Sequence, residues 1–303
     1  MRILKSLVRK IIAINVNSVG ITDNDRILIA NSILKQFGNL NSNFIYDYEF
    51  KVFSQWGDDG IIQFLIRRLN ISNKTFIEFG IEDYSESNTR FLLMNNNWSG
   101  YVLDGSGDNI NKLKKTDYFW KYDLRAESAF ISKENINDLM SKTGFEDIGL
   151  LHIDLDGNDY WILNEIDLTD IRPTILIMEY NSVFGKERAI TVPYNPDFYR
   201  TNVHYSNLYW GASLKSLVSL AQNKGYGFIG CNTNGNNAYF IREDRIGNSK
   251  LTKLTIEQGY IESRFRESRN KNYELSFLRG AERYQTIKGL PVFDTEKNYL
   301  VEL

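Results

Sequence analysis

The feature that most constrains this chain is a series of short apolar runs, each closed by an acidic or small polar residue. "KTFIEFG" closes on Glu78 and Gly80, "GYVLDGS" on Asp104, "IGLLHIDL" on Asp154, and "RPTILIMEYN" on Glu179 and Asn181. Between and after them come "NTRFLLMNNN", "ENINDLMSKTG", "DYWILNEI" and "GASLKSLVSLAQNKGY", which carry helical spacing. Short apolar runs that alternate with helices are strands buried on both faces, so a parallel sheet covered by helices is expected. "YFWKYDL", closed by Asp123, is a further strand candidate, and "YGFIGCN" with "NAYFIRED" across "TNGNN" is a terminal hairpin. The expected fold class is α/β: a Rossmann-like sheet, mostly parallel, with an antiparallel C-terminal strand and helices on both faces.

Helical extensions are expected at both ends. Residues 1–45 form the first, with "TDNDRILIANSILKQFGN" as a helix capped near Thr22 or Asp23 and a stripe of Ile27, Ile29, Ile33 and Leu34. Residues 46–247 form the sheet domain, opened by a helix "DDGIIQFLIRRL" whose acidic start and basic finish suit the helix dipole. Residues 248–303, rich in Arg and Tyr, form a helical tail or lid.

Composition narrows the function classes. Net charge is −2 over 303 residues, so no global field calls for nucleic acid. Cys231 is the only cysteine, which excludes a disulfide framework within the chain and fits a reducing cytoplasm. No run approaches the ~18–20 apolar residues of a membrane span. The first residues, "MRILKSLVRKIIAINVNSV", place Arg2, Lys5, Arg9 and Lys10 among apolar side chains. They read as an amphipathic helix on the body, with a peripheral membrane contact as the second reading. The asparagine- and isoleucine-rich wording is that of an AT-rich bacterial genome. A homo-oligomer is compatible with the sequence.

In an open parallel sheet, ligands bind beyond the carboxyl ends of the strands. Asp104, at the end of the second strand, is placed for two ribose hydroxyls, and Gly80 lets backbone come close to a ligand. Asp123 takes an exocyclic amine or caps the next helix. The set describes a nucleoside cofactor. A dinucleotide needs a glycine-rich phosphate loop. The stretch "EFGIEDYSESN" instead has one glycine with Glu82, Asp83 and Glu86, which repel a pyrophosphate and tolerate a sulfonium. S-adenosyl-L-methionine is therefore favoured over NAD.

"FIEFGIEDYSESNTRFLL", "WSGYVLDGS", "IGLLHIDLDGNDYWIL" and "GYGFIGCNTNGNNAYFIR", with "FSQWGDDGII" upstream, resemble class I S-adenosylmethionine-dependent methyltransferases of the FkbM-like family. The resemblance spans roughly residues 48–245. It implies a seven-stranded sheet with its last strand antiparallel, O-methylation of natural products or glycans, and cofactor contacts from Glu78, Gly80, Asp104 and Asp123, with Gln55 and Asn88 lining the pocket. Where the family's first motif carries further glycines, this chain has Glu82 and Tyr84.

Methyl transfer to a hydroxyl needs a base or a metal beside the acceptor. His152 shares a strand face with Asp154, and His204 lies in the aromatic loop "YRTNVHYSNLYWGAS"; both are base candidates. Asp154 and Asp156 orient the acceptor, or, with Glu179 and near Asp159 and Asn181, offer hard oxygens to Mg2+ or another divalent cation. "HIDLDGNDYW" is similar to the metal motif of macrocin-type sugar O-methyltransferases. The long segment "EYNSVFGKERAITVPYNPDFYR" reads as an acceptor lid in which Arg188 and Tyr194 join Glu179 and Asn181. Arg264, Arg266, Arg269 and Lys271 in the tail are further anion-binding candidates. The function expected is O-methylation of a sugar, sugar nucleotide or glycan precursor. The alternatives are a catalytically degenerate binding protein of the same fold, an NAD-dependent oxidoreductase, and a glycosyltransferase using the D-x-D of "DLD".

Overall fold

A computed structural model describes residues 20–40, 42–247 and 249–303. The amphipathic segment expected over the first nineteen residues lies outside the described residues. The chain divides into two compact units, Met1–Leu40 and Asn41–Leu303. In the first, helix α1 (Asp23–Leu34) starts at Thr22 with a full capping box to Asp25. Ile29, expected in its apolar stripe, is 54% exposed.

The second unit is built on a seven-stranded sheet. Its strands are β1 (Thr75–Phe79), β2 (Ser99–Asp104), β3 (Leu124–Ser128), β4 (Leu150–Ile153), β5 (Ile175–Glu179), β7 (Tyr226–Cys231) and β8 (Asn237–Arg242), and β6 (Ile190–Thr191) lies elsewhere. The order is β3-β2-β1-β4-β5-β8-β7. The first five strands are parallel, and β8 inserts antiparallel between β5 and β7. The chain leaves β1 toward β2 and β3 on one side and returns to β4 and β5 on the other. The switch point therefore falls between β1 and β4, where an open sheet forms its crevice. The central strands β4 and β5 are buried at every position, as their near-continuous apolar sequence requires.

The third strand is displaced from its expected place. "YFWKY" forms turns, and the strand is "LRAES", whose partly exposed pattern suits an edge position and hides it from a search for apolar runs. This moves Asp123. It precedes β3, and its carbonyl accepts from Gly100 N at 2.9 Å, at the amino edge of the sheet.

Helices α2 (Asp58–Leu69), α3 (Arg90–Asn96), α4 (Gly107–Leu113), α5 (Ile136–Lys142), α6 (Asp159–Glu165) and α7 (Leu214–Asn223) accompany the sheet. The C-terminal segment carries helix α8 (Ala281–Ile287) and also two strands that the sequence reading did not include, β9 (Pro291–Asp294) and β10 (Tyr299–Glu302). They pair with β6 in the order β10-β9-β6. Phe184, Ile190, Trp210, Ile287 and Val292 form the small core beneath this second sheet. The stretch after β5 is thus packed into the body along much of its length.

The two buried aspartates that start α2 tie remote parts together. Asp58 accepts from Asn232 Nδ2 (3.1 Å), Asn237 Nδ2 (3.0 Å) and Tyr239 Oη (2.5 Å), and so anchors the β7–β8 hairpin. Asp59 Oδ2 accepts from the backbone N–H groups of Val52, Phe53 and Ser54 and from Ser54 Oγ, all at 2.7–2.8 Å. Burial pushes Asp59 up to about 6, while these four donors hold it down. Removing the carboxylate strands three buried backbone donors. Asp59→Ala is expected to lower stability by on the order of 3 kcal/mol in urea unfolding. A loss below about 0.5 kcal/mol, the range of an ordinary surface change, would show that the carboxylate does not hold this loop.

Candidate functional site

The carboxyl edge of the sheet opens into a cavity of about 750 Å³. Glu78 and Gly80 from β1, Asp104 from β2, His152 and Asp154 from β4 and Glu179 from β5 line it, together with Asn236 and Asn237 at the start of β8. Gln55, Asn88, Asp156 and Arg269 are further expected residues that reach it.

At its floor, Glu78 and His152 are direct neighbours across the β1–β4 pair. His152 Nδ1 lies 3.0 Å from Glu78 Oε1, and both residues are buried. Burial pushes Glu78 up, but hydrogen bonds and charge from His152, with hydroxyls from Ser87 and Thr89, hold it below its ordinary value. Burial likewise pushes His152 down, and the Glu78 carboxylate more than offsets this. His152 Nε2 meets Asn88 Nδ2 at 3.2 Å, and Asn88 N donates to Glu78 Oε1 at 3.0 Å. With the amide so oriented, the ring carries its proton on Nδ1; a doubly protonated ring requires the amide turned over. Both ring nitrogens are occupied, so His152 acts here as a positioning residue for Glu78 and Asn88.

The loop after β1 is where further glycines were expected. Glu82 and Tyr84 both adopt left-handed backbone, with φ of 48° and 64°. The path that glycine follows freely is thus kept without glycine, at a cost on the order of 1 kcal/mol per residue. Tyr84 is fully buried and its hydroxyl meets Thr89 Oγ1 at 2.8 Å, which fixes the loop from within. Glu82 N donates to Asp104 Oδ2 at 2.8 Å. Asp104 Oδ1 accepts from Ser106 N at 2.8 Å and Asn109 Nδ2 at 3.2 Å. Gly80 has φ +71°, and a Cβ there would stand 1.6 Å from the Asp154 carbonyl oxygen. Its first duty is therefore the close approach of the β1 and β4 ends, rather than room for a ligand.

The run after β4 divides its aspartates. Asp159 turns inward, with Oδ1 accepting from Leu155 N (2.7 Å) and Oδ2 from Gly157 N (3.0 Å), and so shapes the loop. It is not available as a ligand. Asp154, Asp156 and Glu179 converge, each offering one oxygen within 4.8 Å of the others. Burial, with Asp156 beside it, pushes Asp154 up to about 7. Burial and the same two aspartates raise Glu179 well above the carboxylate range. Glu179 Oε2 is buried without a hydrogen-bond partner. Such a group calls for a donor or a cation.

Arg200, which the sequence reading did not single out, is the cation nearest this cluster. Nη1 binds Asp156 Oδ1 at 2.8 Å, Nε donates to the Asn207 carbonyl at 3.0 Å, and the guanidinium lies 4.7 Å from the Trp210 ring centre. Glu267 and Arg269 reach the same wall from the C-terminal segment. The only local sign of Arg200 is its place in the aromatic run "PDFYR". Nothing in the local sequence marks Glu267, which arrives by the return of a remote segment.

Five expected residues lie outside the cavity. Asp123 is at the opposite sheet edge. Asn181 is buried and caps the turn Ser182–Phe184, its Nδ2 donating to the carbonyls of Leu208 and Trp210 at 2.9 Å. Tyr194 Oη donates to Glu134 at 2.8 Å, and Arg188 Nη2 donates to the Glu302 carbonyl at 2.9 Å. His204 is half-buried, closes a turn onto Ser206 Oγ at 2.7 Å, and is lowered by burial. Each is drawn away by local backbone or by the small second core. Of the basic tail residues, Arg269 lines the cavity, and no helix carries the run.

The profile of the Methyltransferase FkbM domain matches residues 38–228. The chain belongs to this family. FkbM-type domains are class I S-adenosylmethionine-dependent methyltransferases, and the mostly parallel seven-stranded sheet with an antiparallel strand is their fold. No protein of curated function matches the chain. Among solved structures, the N-terminal domain of EvdMO1 with SAH bound is similar at 10% identity, over 70% of this chain and 94% of that one, with a TM-score of 0.40. An O-methyltransferase from Bacillus cereus in complex with SAH is similar at 12% identity, over 75% and 95%, with a TM-score of 0.39. TrmK of M. capricolum in complex with SAH is similar at 13% identity, over 69% and 78%, with a TM-score of 0.38. Likenesses this distant carry no weight for the activity of this chain.

The floor pair makes a clear expectation. His152→Phe leaves Glu78 buried without its Nδ1–H donor, and stability should fall by about 3 kcal/mol. The double change Glu78→Gln with His152→Phe should recover part of that loss in urea unfolding. Equal losses in the single and double variants would show that the two residues do not act as a pair.

Proposed function

We propose that this FkbM-type methyltransferase transfers a methyl group from S-adenosylmethionine to a hydroxyl of a carbohydrate acceptor, a sugar or glycan precursor, with a divalent cation at Asp154, Asp156 and Glu179. The carrying observation is the charge of the cavity wall. At the cofactor end Glu82, Glu86 and Asp104 line the wall, while the two lining arginines, Arg200 and Arg269, stand at the acceptor end with Asp156 and Glu267. Glu82 is itself raised, by burial first and then by Asp156 and Asp104. A wall of this kind repels the pyrophosphate of NAD and suits a sulfonium.

In this reading Asp104 binds the ribose, since backbone N–H groups of Glu82 and Ser106 orient its two oxygens and Oδ2 keeps a free lone pair for a hydroxyl. Glu78, Gly80, Gln55 and Asn88 bound the cofactor end. The acceptor end is the wall formed by Asp154, Asp156 and Glu179, with the exposed rings of Phe130 and Tyr199 at the mouth to stack on a sugar face. The residues fit a hard cation, because three carboxylates converge and one buried oxygen among them has no partner. Such an ion, when bound, supplies Lewis acidity to an acceptor hydroxyl. Asp154 and Asp156 orient the acceptor, while Arg200 fixes Asp156.

Asp104→Ala is expected to weaken S-adenosylmethionine binding roughly ten- to hundred-fold by calorimetry, from the loss of a contact of ~1–3 kcal/mol. Unchanged affinity would remove Asp104 from the cofactor site. Asp154→Asn is expected to abolish methyl transfer to a carbohydrate acceptor panel while cofactor affinity stays within a few-fold. Full turnover in excess EDTA would discard the cation and leave the transferase. Tight NAD binding without S-adenosylmethionine binding would overturn the whole reading. Cofactor binding without turnover on any acceptor would favour a non-catalytic binding protein.

A further inference from the structure

The C-terminal segment "RFRESRNKNYELSFLR", residues 264–279, folds back on itself at the cavity mouth. Asn270 N donates to the Glu274 carbonyl at 2.9 Å, and Ser276 N donates to the Ser268 carbonyl at 2.8 Å. One side of this ribbon is tied to the body. Ser268 is fully buried with its Oγ accepting from Leu278 N at 2.9 Å, and Arg269 N donates to the Ser206 carbonyl at 3.0 Å; on the opposite face Arg269, which lines the cavity, stands directly across from Leu275.

The other side has a composition that water alone does not explain. Tyr273, Leu275 and Phe277 alternate along it and are 60%, 52% and 52% exposed. Arg266, Lys271 and Arg279 are exposed in the same stretch and form no ion pair among the described residues, and the Arg266 guanidinium lies 6.0 Å from the Phe277 ring centre. Of the acids in the stretch, Glu267 pairs with Arg200 and Arg269, while Glu274 accepts from Asn270 Nδ2 at 2.8 Å and keeps its charge, so cations remain in excess. A local excess of cations with exposed apolar side chains stands out in a chain whose net charge is −2.

We propose that this ribbon docks the protein on an anionic phospholipid surface, with Tyr273, Leu275 and Phe277 entering the interface and Arg266, Lys271 and Arg279 meeting lipid phosphates. Apolar side chains interleaved with Lys and Arg are the composition that binds such surfaces. A second copy is the weaker occupant, because a two-fold contact sets the patch against itself and brings like charges together. Docking turns the cavity mouth toward the headgroup layer. If the transferase reading holds, the acceptor class that fits is a glycan attached to a lipid; the membrane contact itself does not depend on that reading.

The test is co-sedimentation of the full chain with vesicles of phosphatidylcholine mixed with phosphatidylglycerol, against vesicles of phosphatidylcholine alone. Binding to the mixed vesicles only, weakened by salt, is expected. The double change Leu275→Ser with Phe277→Ser should weaken binding at least about ten-fold. Lys271→Gln and Arg279→Gln should each weaken it about five-fold. None of these residues lines the cavity, and the melting temperature of each variant shows that the fold survives. Absence of binding by the parent chain, equal binding to both vesicle types, or binding unchanged in folded variants would overturn the proposal. So would a dimer in light scattering that the apolar double change dissociates.

Discussion

The buried hydrogen bond between Glu78 and His152 sits where the sheet changes direction, and much of the site hangs on it. The two residues face each other across β1 and β4, the strands between which the crevice opens. Burying a carboxylate there is tolerable only with a partner and with donors for its remaining lone pairs. Those donors are Ser87, Asn88 N and Thr89, so the same carboxylate that binds β4 also fixes the end of the loop and the entry to α3. Strand register, loop path and cavity floor are therefore one network rather than three. A polar group placed so deep would be a liability in an ordinary core. Here it sets where the ligand-facing residues begin.

A second bracket stands at the start of α2. Asp58 and Asp59 are adjacent, yet they serve opposite directions: one reaches the β7–β8 hairpin, the other its own preceding loop. The antiparallel end of the sheet is thereby tied to a segment that precedes the first strand. This explains why "FSQWGDDGII" matters although Gln55 is its only expected contact with the cavity.

The parts legible in the sequence are those set by local pattern. Strands β1, β2, β4 and β5 are continuous apolar runs, and α2 falls on "DDGIIQFLIRRL" from its first residue to its last. The cavity residues that follow those strands were legible for the same reason. Strand β3 does not show as an apolar run because its own residues are half-exposed, while the aromatic "YFWKY" before it imitates a strand. Asp123 moves with it to the amino edge of the sheet. Strands β9 and β10 depend on pairing with β6, which is a tertiary event with little local trace. Arg188, Tyr194, Asn181 and His204 have chemistry suited to a site, but the second core and local turns claim them. Arg200 and Glu267 meet at Asp156's wall from distant positions, and no local spacing announces that.

The left-handed backbone at Glu82 and Tyr84 has a thermodynamic consequence for any ligand at this edge. A glycine loop is pliable and loses conformational freedom when a ligand orders it. Here a buried tyrosine has already ordered the loop during folding, so the entropy loss falls on the stability of the protein instead of on the binding step. Recognition at the β1 edge then behaves as rigid docking: the loop presents one shape to every ligand and gains selectivity from its inability to adapt.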